Sequence, residues 1–322
     1  MALLLTETDV REILTMPLAM ELVEESFRRL ADGTAIVHAR QRVHLPGSSF
    51  LHYMSAGDSA SGYMGMKIYT TSREGARFLV PLIRAQSGEW LALIEADYIG
   101  QMRTGAASGV ATRWMAREDA RTLGIIGTGL QARTQLEAIS LARKLDRIQA
   151  FGRDAERRER FAKEMTERLG IPVLPVASAE EAVKGADIVV TSTNAAQPVL
   201  DGRWLRPGMH INAIGSNYAH KTELDAEAVL RADIIAADST EQAKIEAGDL
   251  IQAFGKDVSR WQNVRELSEI VAGKFAARTS SSQITLFKSC GVATEDIAVA
   301  GRVYELAKER DAGREIPMWQ RP

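Results

Sequence analysis

The chain has 322 residues, 45% of them hydrophobic and 25% charged, with a formal net charge of −2. That length admits two domains, or one domain plus an arm, and the composition is that of a soluble folded protein rather than a disordered one. The near-neutral balance argues against an electrostatic footprint for nucleic acid or anionic lipid, the lone Cys290 rules out an internal disulfide, and the spacing of the histidines (His38, His44, His52, His210, His220) shows no metal-ligand pattern.

Residues 1–9 contain a short apolar run with no basic start and acidic residues directly after it, which reads as a first strand and a helix cap rather than a signal peptide. No stretch approaches the roughly 20 apolar residues of a membrane span, so the expected compartment is the cytoplasm. Residues 3–5 predict a short strand. Thr8 or Asp9 is expected to cap a short helix over 10–14, and Met16-Pro17 to start a longer one in which Met20, Val23, Phe27 and Leu30 recur at helical spacing until Asp32-Gly33. Between residues 43 and 94 the signals are mostly β, with runs at 50–54, 63–69, 78–83 and 90–94 separated by Gly, Ser and Asp. Ser87-Gly88 reads as the hairpin turn before the last of them. A helix rich in Ala and Gly on one side follows over 96–115.

The pattern then changes. Strands are expected at 122–126, 147–151, 172–176, 188–191, 210–214 and 234–237, with helices at 130–144 and 155–169 and further helical segments between several of the later strands. Strands alternating with helices imply βαβ units and a parallel, doubly wound sheet. The fold class is therefore α/β, a Rossmann-type half opening at about residue 117 behind an N-terminal α+β half. A last helix over 294–310 is expected to pack back on the N-terminal half, giving domains of 1–116 with 294–322 and 117–293.

The strongest local motif is Gly127-Thr128-Gly129-Leu130-Gln131-Ala132, which follows a strand and opens a helix as a dinucleotide fingerprint must. Gly127 permits the tight turn, Gly129 lets the backbone approach a pyrophosphate at the helix N-terminus, and Ala132 still allows close helix–strand packing. An acid for the ribose 2′-hydroxyl of NAD belongs at the tip of the second strand, about 20 residues on. Here the tip reads Phe151-Gly152-Arg153-Asp154. Gly152 makes room for a 2′-phosphate and Arg153 supplies a charged fork to hold it, which favours NADP over NAD, with Arg157 or Arg158 as helpers. The competing reading leaves the acid's work to Asp154 and makes the arginines a solvated helix face.

Taken in order, Arg40-Gln41-Arg42-Val43-His44-Leu45, Gly65-Met66-Lys67, Gln101-Met102-Arg103-Thr104-Gly105-Ala106-Ala107-Ser108, the glycine loop, Ala186-Asp187-Ile188-Val189-Val190-Thr191-Ser192-Thr193, Gly208-Met209-His210-Ile211-Asn212-Ala213-Ile214-Gly215-Ser216-Asn217, Lys221-Thr222-Glu223-Leu224-Asp225 and Lys288-Ser289-Cys290-Gly291-Val292-Ala293 with Glu295-Asp296 make a chain that resembles the ornithine cyclodeaminase/mu-crystallin family over nearly its whole length. That family also contains archaeal-type alanine dehydrogenases and ketimine reductases. The resemblance implies an N-terminal substrate-binding and dimerisation domain, with homodimers pairing through its sheet. It also implies that Arg40 or Arg42, with Lys67 and Arg103, surrounds the substrate carboxylate. Arginine suits that task because its fork is bidentate, and a partly desolvated Lys67 can exchange a proton with the substrate nitrogen. Thr104, Thr193, Ile214, Ser216 and Gly291 match positions on the cofactor side, with Thr193, Ser216 and Gly291 lining the nicotinamide.

One departure bears on the reaction. Where ornithine cyclodeaminases carry an aspartate that engages the substrate amine, this chain has Asn217, which cannot act as a base or meet an ammonium with full charge. A neutral or imine nitrogen is easier to reconcile with it. The leading expectation is thus an NAD(P)H-dependent reductase acting on the C=N bond of an α-imino acid. The alternatives are an NAD-dependent ornithine cyclodeaminase and a non-catalytic NADP and ligand-binding protein like mu-crystallin. His220 is near enough in sequence to shuttle protons, but the favoured reading is a solvent-exposed histidine.

Overall fold

In the computed structural model, which describes residues 1–47 and 49–318, the first helix begins earlier than the polar pattern suggests. Thr6, not Thr8 or Asp9, is its N-cap, because Thr6 and Asp9 close a reciprocal capping box. In chain order the first elements are β1 (Ala2–Leu5), α1 (Glu7–Ile13), α2 (Met16–Ala31), β2 (Ala35–His44), β3 (Phe50–Asp58), β4 (Tyr63–Ser72), β5 (Gly75–Arg84), β6 (Trp90–Glu95) and α3 (Asp97–Met115). There follow β7 (Thr122–Ile126), α4 (Leu130–Ala142), β8 (Arg147–Phe151), α5 (Ala155–Leu169), β9 (Val173–Pro175), α6 (Ala179–Val183), β10 (Ile188–Thr191), β11 (His210–Ala213), α7 (Ala226–Leu230), β12 (Ile234–Ala237), α8 (Thr240–Glu246) and α9 (Gly248–Phe254). The chain ends with α10 (Val258–Gln262), β13 (Val264–Glu266), α11 (Leu267–Val271), β14 (Thr285–Lys288), α12 (Ala293–Glu309) and β15 (Arg314–Ile316).

These elements form two units. The first takes Met1–Arg103 with Gly291–Pro322, the second Thr104–Cys290, so the helix α3 contributes residues to both. The first unit is built on a seven-stranded sheet of order β15-β1-β6-β5-β4-β3-β2. β2 to β6 pair antiparallel with one another, and β1 lies parallel to β6. One face of this sheet carries Met54, Ala56, Val80 and Leu82, all buried, and α12 packs on its strands together with α2. Along β3 and β4 buried and part-exposed residues alternate, the signature of a half-buried antiparallel sheet.

The second unit is an eight-stranded sheet of order β13-β12-β14-β11-β10-β7-β8-β9, every pairing parallel. Ile188 and Val190 point into a core shared with Leu136, Ile139, Phe161 and Met165 of α4 and α5. Val189, between them, points into the opposite core with Ala182, Val229 and Leu250. Helices on both faces of a parallel sheet make this a doubly wound fold. Strand order reverses between β7 and β10, and in such sheets ligands bind outside the carboxyl ends of the strands at that reversal. Among the described residues, no helix is long and apolar enough to cross a membrane.

Candidate functional site

Within the first unit, β4 and the start of α12 build a buried ionic cluster. Lys67 lies on the face of β4 turned to α12 and is 2% exposed. Its Nζ donates to Asp296 Oδ1 at 2.9 Å. Arg103, from α3, donates to Glu295 Oε2 at 2.9 Å and sets its Nε 3.3 Å from Asp296 Oδ1. Both carboxylates are fully buried. Asp296 keeps its second oxygen, Oδ2, buried and without a hydrogen-bond partner among the described residues. Burial pushes the Lys67 ammonium down to about 8, against the pull of Asp296 and with the help of Arg103 and Arg40.

Two glycines make room for this cluster. A Cβ on Gly100 would stand 2.9 Å from Lys67 Nζ, and one on Gly291 2.5 Å from Arg103 Nη1. Gly291 also has φ +80°, which a side chain rarely adopts. Arg40 reaches the same place: it is buried, and its Nη2 donates to the Gly291 carbonyl at 3.2 Å. Arg42, the other arginine considered, is half-buried one rung further out and sits directly across from His52 in the β2–β3 register. Arg40, Lys67 and Arg103 are thus brought together by the fold, and Arg42 borders them.

Beside Lys67 runs a row of rings. His44 stacks on Phe50 at 3.9 Å, His52 on Tyr69 at 4.3 Å and Tyr69 on Phe78 at 5.0 Å, and Lys67 Nζ is 5.2 Å from the Phe78 centroid. Burial and the charges of Arg42 and Arg40 push His52 down to about 4, so the imidazole is neutral near pH 7. This row escapes a sequence reading because its members come from four strands.

Within the second unit, Gly127 follows β7 with φ +117°, and a Cβ there would run into the backbone carbonyl of Ser192. Only glycine serves at this turn. Gly129 is the N-cap of α4, no side chain caps that helix, and its first turn holds no acid. Thr128 and Gln131 are half-buried, and Leu130 is 64% exposed at the helix start. An uncapped N-terminus of a 13-residue helix beside a glycine turn fits a pyrophosphate. α4 is anchored by Gln135, whose Nε2 donates to the Thr104 carbonyl at 3.1 Å.

At the tip of β8, a Cβ on Gly152 would come 2.5 Å from Thr128 Oγ1, so a larger residue there would require the Thr128 side chain to shift. Asp154 is the N-cap of α5 and accepts from Arg157 N at 2.9 Å. Arg153 and Arg157 are exposed. Arg158 donates to the Gly152 carbonyl at 2.8 Å and lies over the Phe151 ring.

The ends of β10 and β11 carry Thr193, Ile214, Ser216 and Asn217. Ile214 N donates to Thr191 O at 3.0 Å, Ser216 turns its hydroxyl to the Lys221 carbonyl at 2.8 Å, and Asn217 is half-buried. His220 is exposed against Tyr218, with ring centroids 5.6 Å apart. Among the described residues no group of His, Cys, Asp and Glu is arranged to hold a metal ion. The partners of Lys67 and Arg103 carry no local sequence signal beyond the adjacent acids Glu295-Asp296, since they lie 229 and 192 residues away.

The model of the ornithine cyclodeaminase/mu-crystallin family matches residues 1–311. A Δ1-pyrroline-2-carboxylate reductase of Bacillus cereus is 40% identical over 261 residues, covering 79% of this chain and 80% of that protein. The solved structure of Thermococcus litoralis Δ1-pyrroline-2-carboxylate reductase, in complex with NADH and L-proline, superimposes with a TM-score of 0.92 at 36% identity, covering 98% of this chain and all of that one. An archaeal alanine dehydrogenase dimer with bound NAD gives a TM-score of 0.92 at 33% identity, covering 99% of each chain.

Proposed function

The chain belongs to the ornithine cyclodeaminase/mu-crystallin family, and on that premise we propose that it uses NAD(P)H to reduce the C=N bond of an α-imino acid, in the manner of a ketimine reductase or an amino-acid dehydrogenase. The observation that carries this reading is the buried Lys67–Asp296 pair beside Arg103 and Arg40. An α-imino acid presents a carboxylate and a nitrogen that must gain a proton. Arg103 and Arg40 would clamp the carboxylate, and Lys67, an ammonium with a pKa near 8, would deliver the proton. Asp296 Oδ2 leaves a buried acceptor for a substrate N–H. The dinucleotide, when bound, supplies the hydride. Gly127, Thr128, Gly129, Leu130 and Gln131 would hold its pyrophosphate, and Thr104, Thr193, Ile214, Ser216 and Gly291 its nicotinamide side. On this reading the first unit is the substrate and dimerisation domain and the second the dinucleotide domain.

Two finer choices follow. Asp154 is engaged as the cap of α5, which supports Gly152 and Arg153, with Arg157, as the receptors of a 2′-phosphate and NADP as the preferred cofactor. Asn217 supports an imine nitrogen over the amine of ornithine as the group received, which sets the cyclodeaminase reading second. A binding protein without turnover comes third, because Lys67 and Arg103 are both retained in the buried cluster. The cytoplasm remains the compartment that composition favours, Cys290 being a buried thiol in the second unit.

The test is oxidation of NADPH and of NADH, followed by absorbance, with pyrroline-2-carboxylate, piperideine-2-carboxylate, and pyruvate with ammonia or methylamine. Turnover of a cyclic imine with NADPH is the expected result. Turnover only with pyruvate, ammonia and NADH would make the chain an alanine dehydrogenase and undo the readings of Asn217 and Arg153. Ammonia release from ornithine without net change in NADPH would establish the cyclodeaminase instead.

A further inference from the structure

A buried carboxylate of the second unit, Glu223, ties two adjacent strand ends together. It is fully buried and accepts four hydrogen bonds. Thr193 N and Thr193 Oγ1 donate to Oε1 at 2.6 and 2.8 Å. Gly215 N and Thr191 Oγ1 donate to Oε2 at 2.7 and 2.9 Å. Thr191 ends β10, Thr193 lies just beyond it, and Gly215 lies just beyond β11. All four partners are donors in these contacts, an arrangement that an acceptor-only carboxylate satisfies and an amide cannot.

Glu223 is itself held. Asp249 Oδ1 accepts from Glu223 N and Leu224 N at 2.6 and 2.9 Å, and the Glu223 carbonyl accepts from Val199 N and Leu200 N. Lys288, at the end of β14, pairs with Asp249 Oδ2 at 2.7 Å and donates to the Ser216 carbonyl at 2.7 Å. Three neighbouring strand ends, β10, β11 and β14, are therefore joined by one buried ionic network, at the carboxyl edge where parallel sheets of this kind bind ligands. Burial raises the Glu223 carboxyl above its ordinary range, and the Lys288 charge acts to bring it back down.

We infer that Glu223 is a positioning residue for the cofactor: without touching it, Glu223 sets the spacing of Thr193 and Gly215-Ser216 against the nicotinamide. The inference rests on the reading above that these residues line the nicotinamide, and it adds the group that places them. A carboxylate suits the task because one side chain can hold the backbone N–H groups of two separate strands at once.

The experiment compares Glu223→Gln, Glu223→Asp and Thr191→Val with the wild type, measuring NADH and NADPH dissociation constants by fluorescence titration and the steady-state constants with the best imino acid. In Glu223→Gln the amide nitrogen must face donors on one side. Loss of a buried hydrogen-bonding arrangement of this kind corresponds to a rise of about 10- to 100-fold in both dissociation constants. The imino-acid KM is expected to hold, and the ratio of NADPH to NADH affinity also, because the tip of β8 is untouched. Glu223→Asp should recover part of the loss. Thr191→Val, which removes one donor at nearly constant volume, should cost about 3- to 10-fold. Should Glu223→Gln fail to fold, Thr191→Val decides. Unchanged dinucleotide affinity in the folded variants would overturn the inference, as would an imino-acid KM that rises in parallel with it. Because the titrations need no turnover, absence of imine reduction in the wild type would sink the functional reading while leaving this measurement to be made.

Discussion

At Lys67 burial and charge oppose each other, and the outcome sets a pH dependence. Desolvation and the neighbouring Arg103 and Arg40 disfavour the ammonium, while Asp296 at 2.9 Å favours it, and the balance lies near 8. Protonating a reduced nitrogen requires the ammonium form. The reductive kcat/KM should therefore hold on the acid side and fall as pH rises through about 8, with the oxidative direction rising over the same interval. Asp296→Asn removes the partner that raises the Lys67 pKa. The limb should then move to lower pH, at a stability cost of about 3–5 kcal/mol for leaving a buried charge without its counter-ion. Lys67→Met should lower kcat/KM by about 10²–10⁴-fold, the range of a lost general acid. Steady-state profiles from about pH 6 to 10 on the wild type and Asp296→Asn check this. A limb that stays in place in the variant would remove Lys67 from the role of proton donor.

The turn from β8 into α5 is where the proposed preference for NADP can be tested. A Cβ at Gly152 would also crowd the Thr128 side chain, so its identity alone says less about NADP than the sequence suggests. The sharper evidence is that Asp154 is occupied in capping α5 while Arg153 is exposed. Arg153→Ser should lower kcat/KM with NADPH by about 10- to 100-fold, the worth of a charge-assisted hydrogen bond, and leave NADH nearly unchanged. Equal losses with both would return the ribose to Asp154. This region was legible in the sequence because alternating strands and helices carry their own periodicities, and β7, β8, β10, β11 and β12 all stand where apolar runs place them. β14 was not. It is a central strand, flanked by β11 and β12, yet its last residue is Lys288, fully buried because Asp249 neutralises it, so it breaks the apolar run by which a buried strand is recognised. β2 was veiled likewise by Arg40 and Arg42. The partners of Lys67 and Arg103 were illegible for a different reason: ion pairs that close across some 200 residues depend on tertiary packing, which no local spacing records.

On the scale of the whole molecule, the first unit leaves on the side away from α12 a sheet face rich in apolar side chains, with Gln41, Ser55, Thr70 and Arg77 among them. Residues directly opposite each other across β2 to β5 share a face, and the register aligns Val43 with Leu51, Tyr53 with Ile68 and Leu79, and Met64 with Ile83. Val43 is 48% and Leu51 38% exposed, and the others are partly so. Exposed apolar side chains gathered on one face in this way mark a surface suited to association. Pairing of two copies through this face would take its exposed apolar side chains out of water. The chain is then expected to sediment as a dimer at micromolar concentration, with a melting temperature that rises with protein concentration, since association stabilises the folded state by mass action. Ile68→Glu places a charge at the centre of the face and should shift the population to monomer. It should leave dinucleotide affinity within about twofold, because the glycine loop proposed to hold the pyrophosphate lies in the second unit and an unrelated surface substitution is worth about 0.5 kcal/mol or less. A wild type that sediments only as monomer at that concentration would show that the exposed face has another use.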